Sequence, residues 1–168
     1  MSSHGVISND APGGGSAANA SMKLEVVVIP VSDVDRAKEF YSRLGWRLDA
    51  DRVVGDNFRL IQFTPPGSGS SIQFGLNLTA AAPGSAQAFL LVVSDIVAAR
   101  EQLVAKGIDA SEVFHCESGT GCRFEGIDVR VSGLHPKRLS YASFVSFKDP
   151  DGNGWLLQEV TERLPGRV

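Results

Sequence analysis

Between residues 22 and 164 the chain alternates short apolar runs with stretches whose apolar residues recur every three or four positions. The runs Val26–Val31 and Phe89–Val93 are β-branched or bulky throughout, as suits strands buried on both faces. Each is followed by a Ser-Asp pair and about three turns at helical spacing. Val34, Ala37, Tyr41 and Leu44 share one face in the first case, and Ile96, Ala99 and Leu103 in the second. Ser32 and Ser94 stand where an N-cap accepts from free backbone N–H groups, with Asp35 completing a shortened capping box. Gly45 and Gly107 stand where left-handed C-terminal caps are wanted. Further strands are predicted at Trp46–Ala50, Phe58–Thr64 and Ser71–Leu78, separated by the turns Gly55-Asp56-Asn57 and Pro65-Pro66-Gly67. The second half predicts Ile108–Phe114, Gly121–Phe124, Ala142–Lys148 and Trp155–Val160.

The two halves repeat each other. Val31-Ser32-Asp33-Val34 returns as Val93-Ser94-Asp95-Ile96, an offset of 62 residues. At that offset Ala37 meets Ala99, Lys38 meets Arg100, Glu39 meets Glu101 and Gly45 meets Gly107. The chain is therefore read as an α+β protein of tandem βαβββ modules, residues 22–78 and 88–164, joined by an Ala/Pro/Gly/Ser linker at 79–87. An insertion at about 117–140 lengthens the second module, and residues 1–21 are read as a flexible leader.

Composition narrows the function classes. In 168 residues, 16 basic side chains against 19 acidic ones leave a net charge of −3, without the basic field that nucleic acid or an anionic membrane requires. The apolar runs are strand-length and too short to span a bilayer. Two cysteines, Cys116 and Cys122, supply neither a disulfide framework nor a four-thiolate zinc site. The leader lacks the basic start and apolar stretch of a signal peptide, so a cytoplasmic location with reduced thiols is expected.

The duplicated modules, the stretch Pro-Val-Ser-Asp-Val-Asp-Arg-Ala-Lys-Glu-Phe-Tyr at 30–41 and the turn Asp149-Pro150-Asp151-Gly152-Asn153 together resemble the vicinal oxygen chelate superfamily. That superfamily includes glyoxalase I, the bleomycin-resistance proteins and the extradiol dioxygenases, and the resemblance spans residues 22–164. It implies one glyoxalase-like domain whose two curved mixed sheets enclose a cleft, often completed by a second copy, so a homodimer is expected. It also places the ligands of a divalent metal at Val26, Gln73, Ala88 and Leu156, or Leu157 with a one-residue slip. Only Gln73 can donate to a metal, so no cofactor is expected at the usual site. A metal remains possible through a relocated set drawn from Glu25, Gln73, His115 and Glu159.

The residues themselves give milder readings of that pool. Glu25 reads as a solvated strand-end carboxylate, and Glu159 shares parity with Trp155 and Leu157 and reads as helix-facing or at an edge. His115-Cys116 with Cys122 lacks structural zinc spacing, and His135 reads as a surface residue of a basic loop. No phosphate-cradling loop and no GxSxG nucleophile elbow occurs. Asp149, Asp151 and Asn153 read as a tight turn, because no glutamate follows at the distance a calcium loop needs.

Aromatic residues cluster in the strand segments, and a few of them with Gln73 and His115 would make an apolar pocket with sparse polar groups. The expected binding residues are Gln73, His115, Phe58, Tyr141 and Trp155. The leading expectation is a protein that binds a small, partly apolar organic molecule by burial and aromatic contact, without the usual metal. The alternatives are a metal-dependent lyase, isomerase or dioxygenase using the relocated ligands, and a structural or regulatory dimer; whether the chain is an enzyme is left open.

Overall fold

The structure, a computed structural model, describes residues 20–117 and 130–166. The first half contributes β1 (Val26–Val28), α1 (Val34–Arg43), β2 (Arg47–Val54), β3 (Phe58–Thr64) and β4 (Ser71–Leu76). The second contributes β5 (Phe89–Val93), α2 (Ile96–Ala105), β6 (Phe114–Cys116), β7 (Arg130–Ser132), β8 (Ser143–Lys148) and β9 (Gly154–Glu159). The strands form two mixed sheets, ordered β1-β4-β3-β2 (sheet A) and β5-β9-β8-β6-β7 (sheet B). In both, the first strand lies parallel to the last and the remaining pairs are antiparallel. The α+β fold and its repeat are thus as the sequence pattern predicts, with β7 added at one edge from within the span read as an insertion.

Local chemistry departs from expectation at three places. The N-caps are Asp33 and Asp95, whose carboxylates accept from Arg36 N and Ala98 N at 3.0 Å, and not the serines before them. Ser32 is otherwise engaged, since its hydroxyl donates to Asp151. The segment Ile108–Phe114 is not a continuous strand: Ala110 makes an isolated bridge to Phe147, and β6 begins only at Phe114. The Ser111 hydroxyl accepts from Ser146 N at 3.0 Å, taking a bond that a regular ladder would give to backbone. Cys116 is disulfide-bonded; reduced thiols had been inferred from a missing export signal, which speaks to address and not to pairing. The one other cysteine, Cys122, lies outside the described residues, as do the strand expected at Gly121–Phe124 and residues 1–19 of the leader. The C-terminal caps are as predicted, Gly45 and Gly107 having φ of +80° and +73°.

One core joins the halves. Phe40, Tyr41, Trp46, Phe63 and Phe74 of the first pack with Phe147, Trp155 and Leu157 of the second. Trp155 meets Trp46 edge-on at 5.1 Å and stacks on Phe147 at 6.1 Å, geometries that add to plain burial. A polar clasp stands beside this core. The Tyr41 hydroxyl donates to Asp149 Oδ2 at 3.0 Å and accepts from Trp155 Nε1 at 3.2 Å. Arg36 donates to Asp151 Oδ1 at 2.9 Å, and Asn153 Nδ2 donates to Pro30 O at 2.8 Å. The stretch 30–41 and the turn 149–153, noted separately in the sequence, are thus two sides of one contact. Gly84 closes against it: with φ +77°, an added Cβ would lie 2.1 Å from Asp151 O.

Candidate functional site

Strand pairing assigns each side chain to a face. On sheet A, Asp51 and Arg59 face α1, where they meet Lys38 and Asp35 at 2.8 Å, and Ile61, Phe63, Ile72 and Phe74 enter the core beside them. The alternate residues face the other way: Val26, Val28, Ser71, Gln73, Gln62, Leu60 and Phe58. The register between β2 and β3 shifts between Leu48 and Ala50, a bulge that turns Asp49 onto this same face.

A hydrogen-bonded row crosses the face. Thr64 Oγ1 donates to Asp49 Oδ2 and lies 2.7 Å from Ser71 Oγ. Arg47 Nε donates to Asp49 Oδ1 at 2.6 Å, and Gln73 Nε2 donates to Gln62 Oε1 at 2.8 Å. The bonds from Thr64 first, then from Arg47, hold the Asp49 carboxyl below the usual carboxylate range, so it is an anion at neutral pH. Gln73 thereby keeps its amide oxygen for an outside donor. The row presents acceptors, flanked by the half-buried Leu60 and Phe58. Asp49, Thr64, Gln62 and Ser71 were not singled out in the sequence. Their signal was the alternation of polar positions on neighbouring strands, which becomes legible only once the register and the bulge are known.

Sheet B has a comparable face. Leu90, Leu156, Ser146, Phe144 and Phe114 lie on one side by register, opposite Leu91, Leu157, Val145 and Phe147. Phe114, Phe144 and Leu156 form a small cluster of their own, Phe114 stacking on Phe144 at 5.8 Å with Arg130 over its ring at 4.2 Å. Beside it Ser111, Arg130, Ser146 and Lys148 line a concavity of about 520 Å³. Leu90 and Val92 on this face are 51% and 44% exposed.

The five expected binding residues separate. Gln73 and Phe58 share the outer face of sheet A. Trp155 is buried in the common core. His115 is buried on the opposite side of β6 from Phe114, with Nδ1 2.9 Å from Gly133 O and its ring edge-on to His135 at 5.7 Å. Tyr141 has φ +70° and sits in the loop before β8, where its hydroxyl accepts from Leu164 N at 3.1 Å.

The relocated metal set does not fit together. Glu25 is exposed ahead of β1, and Gln73 lies on sheet A. Glu159 is fully buried on the helix side of sheet B, where Oε1 accepts from Ile96 N at 3.2 Å and from Arg138 at 3.0 Å. Its role there is to meet the positive N-terminal end of α2. Of the positions the resemblance assigns to metal ligands, Val26 and Leu156 do face outward on their sheets, but neither offers a donor atom. Among the described residues no group of three or more His, Cys, Asp or Glu side chains is placed to hold a metal ion. No described helix is long and apolar enough to cross a membrane.

Comparison with known proteins follows the same line. The family model for the Glyoxalase/Bleomycin resistance protein/Dioxygenase superfamily matches residues 23–157. The uncharacterized protein YetH of Bacillus subtilis (strain 168) is 26% identical over 140 residues, covering 82% of this chain and 98% of its own. Among solved structures, TnmS3, an antibiotic binding protein from Streptomyces sp. CB03234, is 26% identical with a TM-score of 0.61, over 84% of this chain and 98% of that one. A glyoxalase/bleomycin resistance protein from the same source is also 26% identical, with a TM-score of 0.57, over 82% and 100%.

Proposed function

Because the chain belongs to the Glyoxalase/Bleomycin resistance protein/Dioxygenase superfamily, we propose that it is a binding protein for a small, partly apolar organic molecule, held on the outer sheet faces without a resident divalent metal. The observation that carries the reading is the acceptor row Asp49–Thr64–Ser71 and Gln62–Gln73 on a sheet face that also presents Val26, Val28, Leu60 and Phe58, with Arg52 paired to Leu60 at its β2 side. Such a surface recognises a molecule by burying its ring or chain while meeting a few N–H or O–H donors. Phe58 and Leu60 supply apolar contact, and Gln73 and Asp49 fix orientation. His115 and Trp155 support the sheets from behind, and Tyr141 borders sheet B through the bond from Gln158 Nε2 to its carbonyl at 2.9 Å. TnmS3, a structural relative described as an antibiotic binding protein, supports binding as the general kind of activity.

A second copy of the chain is the expected cover for these faces, since Leu90, Val92 and Val54 leave apolar area in water. Sedimentation showing only monomer at micromolar concentration would remove that part of the reading. Cytoplasmic residence also belongs to it, and the disulfide at Cys116 is the observation set against it.

The test is a thermal-shift and calorimetric screen of aromatic antibiotics and metabolites against the wild type, Q73A and D49N, with elemental analysis of protein purified without a chelating tag. At least one compound is expected to stabilise the wild type and to lose affinity on both variants. Stoichiometric metal lost on replacing Gln73 or His115 would overturn the metal-free reading and direct assays toward lyase and dioxygenase chemistry.

A further inference from the structure

The helix side of sheet B carries a second concavity, separate from the outer faces. Leu44 and Trp46 at the end of α1, Pro65 of the β3–β4 turn, Leu103 of α2, and Leu91 and Phe147 of sheet B wall a cavity of about 210 Å³. Both halves of the chain contribute, so the cavity lies in the seam between them. Leu91 and Phe147 face away from Leu90 and Leu156, so the side chains that wall the cavity stand mainly on the side of the sheet opposite the outer face, although Val92 also borders it.

The rim carries one ammonium. Lys106 Nζ donates to Leu44 O at 2.7 Å, at the negative C-terminal end of α1. It makes no ion pair with a carboxylate among the described residues. Two of its three donors remain for another acceptor. The exposed Gln102 amide stands on the same rim, one helical turn before Lys106.

We propose that this seam is a second small-molecule site, selective for small aromatic carboxylates. An apolar cavity of about 150 Å³ holds benzene, so about 210 Å³ has room for a substituted or fused ring. Leu44, Trp46, Leu103 and Phe147 enclose the ring, and the carboxylate meets Lys106 and Gln102 at the mouth. An amine on the same ring would bring like charge against the Lys106 ammonium, which gives the selectivity its sign.

The probe is 1-naphthoate, with 1-naphthylmethylamine as its cationic counterpart, followed by calorimetry and tryptophan fluorescence. Naphthoate is expected to saturate the wild type and quench Trp46, and the amine is not. K106M, an exposed change, should weaken naphthoate by about tenfold or more. A99L, which fills the wall beside Leu103, should abolish it, whereas Q73A and D49N should leave it unchanged. Absence of saturable binding at millimolar naphthoate, or equal binding of the amine, overturns the site. Binding that survives both K106M and A99L but is lost in Q73A overturns it too, by assigning the probe to the outer face. Failure of the outer-face reading leaves these outcomes untouched.

Discussion

Replacing Tyr41 by Phe removes one oxygen from the middle of the clasp and leaves the ring in place. The hydroxyl is fully buried and makes two bonds, a donation to Asp149 Oδ2 at 3.0 Å and an acceptance from Trp155 Nε1 at 3.2 Å. A hydrogen bond to a charged group contributes about 1.5–3 kcal/mol, and a buried N–H left without an acceptor costs about 1–3 kcal/mol. Asp149 is not orphaned, because its carboxylate still accepts from Asp151 N, Asn153 N and Asn153 Nδ2. The main loss is therefore the stranded indole N–H plus one charged bond, about 3 kcal/mol in all. At about 2–4 °C per kcal/mol for a chain of this size, the melting temperature falls by about 6–12 °C. A second signature lies at high pH. Burial first, then the Asp149 charge, push the Tyr41 phenol well above its ordinary value. Its folded form keeps the proton while the unfolded form loses it above about pH 10, so wild-type stability falls as pH rises past that point. Y41F lacks this component and its alkaline limb is flatter. Guanidinium unfolding at pH 7 and at about pH 10.5, followed by tryptophan fluorescence and circular dichroism, reads both effects. A variant within about 0.5 kcal/mol of wild type at pH 7, with the same alkaline slope, would refute the assignment of Tyr41 as the link between the halves.

Gly84→Ala should lower stability by more than about 2 kcal/mol, because the new Cβ meets the Asp151 carbonyl in a left-handed backbone; a denaturant midpoint unchanged from wild type would contradict this. Glu159→Ala should cost about 2 kcal/mol by stranding the buried Ile96 N–H. Glu159→Gln keeps an acceptor oxygen and should cost less, and the order of the two melting temperatures checks it. Hydrogen bonds from Arg59 first, then Lys38, hold the Asp51 carboxyl well below its ordinary value. Its stabilising contribution is therefore present above the unfolded value of about 3.9 and is lost as pH falls below it. Asp51→Asn should accordingly lose less stability than wild type between neutral pH and about pH 3, measured by thermal scans at both.

Whatever depends on period and punctuation was legible in the chain. The 62-residue offset, the two helices and their glycine caps foretold two sheets of like order. What failed depended on partners far away in sequence. Ser32 is a plausible cap until Asp151, 119 residues distant, takes its hydroxyl, and Asp33 then serves. Asp49 carries no signal of its own in the sequence, because a bulge that re-aims a side chain leaves no mark in a period of two. His115 and Trp155 were grouped with Gln73 by residue type, whereas the registers put them on the far sides of their strands. Glu159 was the better outcome, since parity alone turned it toward the helix side, where it meets α2.

The clasp also sets a schedule for the newborn chain. Tyr41 leaves the ribosome 108 residues before Asp149. At about 5–20 residues per second, the first half waits roughly 5–20 s for its counterpart. During that interval the faces of α1 and sheet A that later meet Trp155 and Phe147 have nothing to cover them. Both ends of the contact are present only after Asp149 has been made, so the halves close late, and until then the uncovered faces of the first half are the surface most open to wrong partners.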